Sequence, residues 1–372
     1  MARSTRSLFP RSTHSLFPPT RARALILSLA LALLLRVGSA APPPYVLDAS
    51  FGLPFPAGAQ RITALAPSVS AAGGAQLLFA VQRAVQVPFL CRFAAPTWGG
   101  ACNEGANNVT MTSPHGAAAA ADGDASAGLL VTDIAGGTVK LFSLAGELLA
   151  TGGTQGRPGV GVNPIQFSAP ADVAVTRGGL VVVSDGDGGS ANRVVALASR
   201  TELNTVAWVV GRNGSGAGEF SSPHSVAYDS VTDTLFVADR GNARIVLLAP
   251  ATGATLAQWA AADCFPGGVP WGLRVDEAQR RLVVADGTHA ALMVFDLGAG
   301  AGQPSCSLAA NITVPPKLCG VPHELAIMTT EPRDVYLACV GGVVAPVAGP
   351  TSVVRFVASS PAPAARVGHL RG

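Results

Sequence analysis

Residues 216–248 read GAGEFSSPHSVAYDSVTDTLFVADRGNARIVLL. A Gly-rich approach leads through Phe220 to Pro223. The alternating run SVAYDS follows, then a turn at Thr232-Asp233, a β-branched run ending in Val-Ala-Asp, a second turn, and a third apolar run from Arg244. Short alternating runs bounded by Gly, Asp, Asn and Pro are strand and turn signals.

Lined up on the proline, the pattern returns at 113–153 (SPHGAAAA…), 169–198 (APADVAV…), 269–297 (VPWGLRV…) and 321–359 (VPHELAI…), with a weaker copy at 61–86 (RITALAP…). A repeat of about 50 residues made of short strands cannot bury its own apolar faces, and radial stacking solves that problem. The chain therefore reads as all-β, a six-bladed β-propeller over 41–359. The copy at 61 is taken as blade 1. The last copy shows three strands, so the apolar segment YVLDASF (45–51) is expected to supply its fourth and close the ring.

Residues 1–40 carry six of the 25 Lys+Arg and none of the 22 Asp+Glu, and include the apolar run ALILSLALALLL (24–35). Charged, then apolar, then small residues is the order of a signal peptide, here with cleavage after Ala40. An anchor is the alternative, but twelve apolar residues fall short of the roughly 20 that cross a bilayer. The remainder holds 19 basic against 22 acidic residues, so the apparent basicity belongs to the leader and no electrostatic footprint for nucleic acid is left. A secreted protein with no membrane span after signal removal is expected, a monomer with a peptide or extracellular protein as its partner. The Pro/Ala-rich 360–372 reads as a disordered tail.

All six Cys lie beyond the leader, and an even set in an oxidising compartment reads as disulfides. Six Cys allow fifteen pairings; Cys91–Cys102, Cys264–Cys306 and Cys319–Cys339 each bracket one loop or one blade. Sequons at Asn108, Asn213 and Asn311 fall between the expected strands and are candidate glycosylation sites.

Pro-His occurs three times among 28 Pro and six His, at His115, His224 and His323. These are blades 2, 4 and 6; Ala171 and Trp271 hold the matching positions of blades 3 and 5. The first strand of a blade lines the central channel, and alternate blades of six stand about 120° apart, so three imidazoles should converge on the axis. Three protein nitrogens with a fourth position left free is the ligand set of a catalytic zinc. The alternative is three solvated histidines at strand starts.

The 216–248 stretch resembles the NHL repeat, and the whole reads as similar to the branch containing peptidyl-α-hydroxyglycine α-amidating lyase and its small secreted NHL-repeat relatives. That resemblance implies zinc held by His115, His224 and His323, with Arg83, in FAVQRAV, as substrate-binding arginine. It also implies calcium taken by Glu324 with the carbonyls of Ala117 and Ala64. The lyase carries a tyrosine after Ser-Asp-Gly in blade 3, where this chain has VSDGDGG with Asp187. An aspartate is a far weaker base than a tyrosinate. Two readings follow: a non-catalytic binding protein with a three-histidine metal site, or a zinc-dependent lyase-like enzyme in which Asp187 serves as the base. Calcium-dependent lactonase propellers are disfavoured, because their channel ligands are acidic and amide side chains.

Overall fold

The computed structural model describes residues 44–359 apart from 52, 54–61, 70–75, 84–88, 103–108, 121–127, 301, 332 and 341–352. The expected leader (1–40), the expected tail (360–372) and Asn108 lie outside the described residues. Six four-stranded antiparallel sheets account for the strands, as the six repeats require. Blade 1 is β2 (Ile62–Val69), β3 (Gln76–Gln82), β4 (Leu90–Ala94) and β5 (Gly99–Cys102). Blade 2 is β6 (Pro114–Ala119), β7 (Leu129–Asp133), β8 (Thr138–Phe142) and β9 (Leu148–Gly153), and blade 3 is β10 (Pro170–Val175), β11 (Val181–Asp185), β12 (Arg193–Leu197) and β13 (Val206–Val210). Blade 4 comprises β14 (Pro223–Asp229), β15 (Thr234–Asp239), β16 (Arg244–Leu248) and β17 (Thr255–Ala260), and blade 5 comprises β18 (Pro270–Asp276), β19 (Arg281–Asp286), β20 (Ala291–Asp296) and β21 (Ser307–Thr313). Blade 6 has β22 (Val321–Ile327), β23 (Val335–Val340), β24 (Val353–Ala358) and, returning from the start of the propeller, β1 (Tyr45–Asp48).

The outer edge of blade 6 is β1, pairing Tyr45 with Ala358 through Asp48 with Arg355. Closing the ring from both ends of the propeller gives the last blade the four strands of the others and ties the start of the chain to its end. Tyr45 is fully buried and donates its hydroxyl to Asp276 of blade 5.

The cores lie between blades. One cluster joins Leu130 and Val139 of blade 2 to Val183 and Val195 of blade 3, and another joins Phe236 and Ile245 of blade 4 to Val284 and Phe295 of blade 5. The outer strands β9, β13, β17 and β21 are mostly exposed or half-buried. Their weak apolar alternation is why the repeat reads as three strands in sequence, and they supply the fourth. Asn311, expected between strands, lies instead on β21, exposed. Its solvent-facing position rests on the open outer strand rather than on a loop. Asn213 is exposed in the loop between β13 and β14.

One corner recurs. The last residue of the second strand faces the first residue of the inner strand: Asp133 opposite Pro114, Asp185 opposite Pro170, Asp239 opposite Pro223, Asp286 opposite Pro270. In blades 2, 3 and 4 the carboxylate takes backbone N–H groups just ahead of the proline, Asp133 from Thr112 and Ser113, Asp185 from Ser168 and Ala169, and Asp239 from Ser221, whereas Asp286 accepts from Thr288 and His289. Proline has no N–H of its own, so this corner needs an acceptor on one side only. The arginine that follows ties the corner down: Arg193 pairs with Asp185, Arg244 with Asp239. In blade 6 Cys339 stands at this corner opposite Pro322 and is bonded to Cys319, so a covalent link holds what the carboxylate holds elsewhere. Cys264 is bonded to Cys306. Cys91 is disulfide-bonded and faces Cys102 across the β4–β5 register.

Candidate metal centre

Every inner strand breaks register near its start, directly after the first residue in blades 1 to 5 and after the second in blade 6. The shifts fall between Ile62 and Ala64, Pro114 and Ala117, Pro170 and Asp172, Pro223 and Ser225, Pro270 and Gly272, and Pro322 and Leu325. A β-bulge re-aims the side chain it carries. The first residue inside each bulge is Thr63, His115, Ala171, His224, Trp271 or His323, one per blade.

The three histidines meet. Their ring centroids are 5.0, 4.6 and 4.9 Å apart, edge to face, and their ligand nitrogens lie within 4.8 Å of one another. All three are buried. Each is fixed by the next bulge in the ring: His115 Nδ1 lies 2.8 Å from the Ala171 carbonyl, His224 Nδ1 3.0 Å from that of Trp271, and His323 Nδ1 2.7 Å from that of Thr63. A carbonyl only accepts, so Nδ1 carries the proton and Nε2 keeps its lone pair. Nε2 of His115 and of His224 has no hydrogen-bond partner. Buried polar atoms without partners are costly, and a carbonyl that sets the tautomer of a ligating imidazole is the usual outer support of a metal site.

Burial keeps the imidazoles neutral. It lowers His115 against the opposing charge of Asp187, and pushes His224 down to about 3 against the same charge. His323 is lowered well below the ordinary histidine range by burial and then by the other two rings. Neutral nitrogens are the form that binds metal.

Asp187 stands over this cluster. Its Oδ2 is 3.4 Å from His115 Nε2 and 4.0 Å from His224 Nε2, while its Oδ1 accepts from Arg240 at 2.7 Å. Burial opposes its ionisation, but the neighbouring His224, His115 and Arg240 outweigh burial and hold the carboxyl below the usual range. With the imidazoles neutral, Arg240 is the counter-charge that persists at neutral pH. Arg240 in turn lies 4.6 Å over the Trp271 ring, a cation–π contact that fixes the guanidinium. Arg83 follows β3 and donates Nε to Ser113, two residues from His115. Arg240 and Trp271 escaped the sequence reading as site residues. Arg240 sits directly after the Asp239 corner, facing the mouth, and Trp271 was seen only as the blade 5 counterpart of the histidines.

Arg274 lies among the residues expected to take calcium. Glu324 is buried at the position after the third histidine, but Ala117 O already accepts from Arg274 Nη2 at 3.0 Å, and Arg274 Nη1 lies 3.5 Å from Glu324 Oε2. Ala64 is buried in β2. Burial, helped by the Asp172 charge, raises the Glu324 carboxyl well above the carboxylate range despite Arg274.

The fold and the repeat define an NHL-repeat six-bladed β-propeller with a three-histidine cluster in its channel; the family model "NHL repeat" matches residues 220–246. Among particular proteins, the chain is similar to "NHL repeat-containing protein 3" of Mus musculus, 32% identical over 238 residues, and to that of Homo sapiens, 33% identical over 238 residues. Each alignment covers 63% of this chain and 66% of the relative, so the chain spans just under two thirds of the length of these curated relatives. Solved propellers are similar in fold. A PQQ-bound aldose sugar dehydrogenase from Streptomyces coelicolor superposes with a TM-score of 0.55 at 13% identity, covering 86% of this chain and 100% of its own. A calcium-binding regucalcin from Agrobacterium tumefaciens gives 0.52 at 12%, covering 81% and 93%. At these identities the likeness concerns the fold alone.

Proposed function

We propose that this is a secreted propeller whose channel binds zinc through His115, His224 and His323, and that it works by binding an extracellular peptide or protein rather than by catalysis. The observation that carries the second half is Asp187. Its carboxylate lies on the Nε2 side of the histidines, clamped by Arg240, and can take the fourth ligand position that a catalytic zinc leaves open. The donor set fits zinc: neutral imidazoles with tautomers fixed by carbonyls, and a carboxylate. Bound zinc would supply Lewis acidity at the channel mouth. The disulfides Cys264–Cys306 and Cys319–Cys339 suit an oxidising compartment.

The competing reading, a lyase acting on peptidyl-α-hydroxyglycine, draws on the three histidines and on Arg83 beside Ser113. It needs a group to take the substrate hydroxyl's proton. Asp187, held ionised by Arg240, is a weak acceptor, and the general base of such a step works best with a pKa near the operating pH.

The test is turnover of an α-hydroxyglycine-extended peptide by the zinc-loaded full chain. We expect none above that of His224→Ala given the same zinc treatment. In Asp187→Tyr, a small gain lost again on adding Arg83→Ala would show that substrate can still reach the histidines. Robust wild-type cleavage abolished by His224→Ala would establish the enzyme and overturn the binding role.

A further inference from the structure

On the inner strands next to the histidine ring, the channel holds two fully buried carboxylates, Asp172 and Glu324. Each follows a bulge residue, in blades 3 and 6. At the same place blades 2 and 5, opposite each other in the ring, have Gly116 and Gly272. A Cβ on Gly116 would come within 2.3 Å of Ala171 O, and one on Gly272 within 2.5 Å of His323 O, so only glycine allows the strands this approach. From blade 5, Arg274 reaches across to blade 2. Its Nη1 donates to Asp172 Oδ2 at 2.8 Å and to Leu273 O at 2.6 Å, and Nη2 donates to Ala117 O at 3.0 Å and Asp172 Oδ1 at 3.2 Å. Ser225 Oγ, 2.6 Å from Asp172 Oδ2, is 3.4 Å from Nη1, and Glu324 Oε2 is 3.5 Å away.

A carboxylate gripped through both oxygens, a second carboxylate, two backbone carbonyls and a hydroxyl make an all-oxygen shell. That is the set a calcium ion takes. We propose that Arg274 is a built-in cation: its guanidinium fills an oxygen cage that would otherwise require a divalent metal, and it plugs the channel so that the histidine site is reached only from the Asp187–Arg240 mouth. A fork of donors satisfies oxygens in several directions without an ion to lose. Removing it leaves two buried carboxylates with a shared vacancy, which should then recruit calcium from solution.

The full-length protein is secreted into low-calcium and into millimolar-calcium medium as wild type, Arg274→Ala, and Arg274→Ala with Asp172→Asn and Glu324→Gln. Yield and melting temperature are measured, and terbium luminescence is titrated with calcium. Wild type should show the same yield and melting temperature with and without calcium, and no saturable terbium site. Arg274→Ala should yield poorly without calcium, recover with it, melt several degrees higher when calcium is bound, and show one terbium site that calcium displaces. The triple variant should ignore calcium. A wild-type protein that binds calcium and loses it in Glu324→Gln would overturn the proposal. So would an Arg274→Ala protein that calcium neither rescues nor stabilises.

Discussion

A single turn of the chain decides what the channel contains. Pro-His places the imidazole on the bulge, the next blade's carbonyl accepts a hydrogen bond from Nδ1–H, and burial strips the ring of charge. The sign of the pH effect follows. An unfolded histidine protonates near 6.5, whereas folded His224 does so only at about 3, so as pH falls below 6.5 the unfolded chain binds protons that the folded one refuses. Stability is full above that value and is lost below it. The melting temperature of the metal-free protein should drop between about pH 7 and pH 5, ahead of ordinary carboxylate titration, and less steeply in His224→Gln. Equal slopes in the two proteins, or a flat wild-type profile, would contradict neutral buried rings. At this scale the sequence was informative because proline marks strand starts and three of six histidines follow one. Arg274 gave no warning: one arginine in the apolar run of β18 does not announce that its side chain crosses to Ala117 O in the opposite blade.

Among elements, the inner hairpins were legible because strands buried on both faces are unbroken apolar, β-branched runs bounded by turn residues, as in TLFVAD of β15 and RLVVAD of β19. The outer strands were not, since a half-exposed edge tolerates almost any residue; β21 was read as a loop around Asn311 for that reason. The Asp corners could be counted from sequence, but their task, accepting the N–H groups ahead of proline, appears only in the fold. Asp239 is fully buried and holds both Ser221 N–H and Arg244. Breaking a buried ion pair on one side costs about 3–5 kcal/mol. Asp239→Ala should therefore destabilise the protein by about that amount in chemical denaturation, and a loss below about 1 kcal/mol, the range of an exposed pair, would show that the corner is not what fixes the blade.

For the molecule as a whole, the number of blades and the closure by β1 followed from repeat counting, because blades bury their faces only against neighbours and a ring needs its last sheet completed. What binds at the mouth did not follow, because Asp187, Arg240 and Trp271 come from three different blades and meet only in three dimensions. The claim on which the account turns is that His115, His224 and His323 hold zinc. Metal content of the full-length protein, purified without chelator, tests it most directly. The account predicts close to one zinc per chain, with His224→Ala folded but well short of a full complement, since losing one imidazole cuts four ligands to two rings and the Asp187 carboxylate and weakens binding. Wild-type protein that carries no metal and gains no thermal stability from added zinc, or a His224→Ala variant that keeps its full complement, would contradict it.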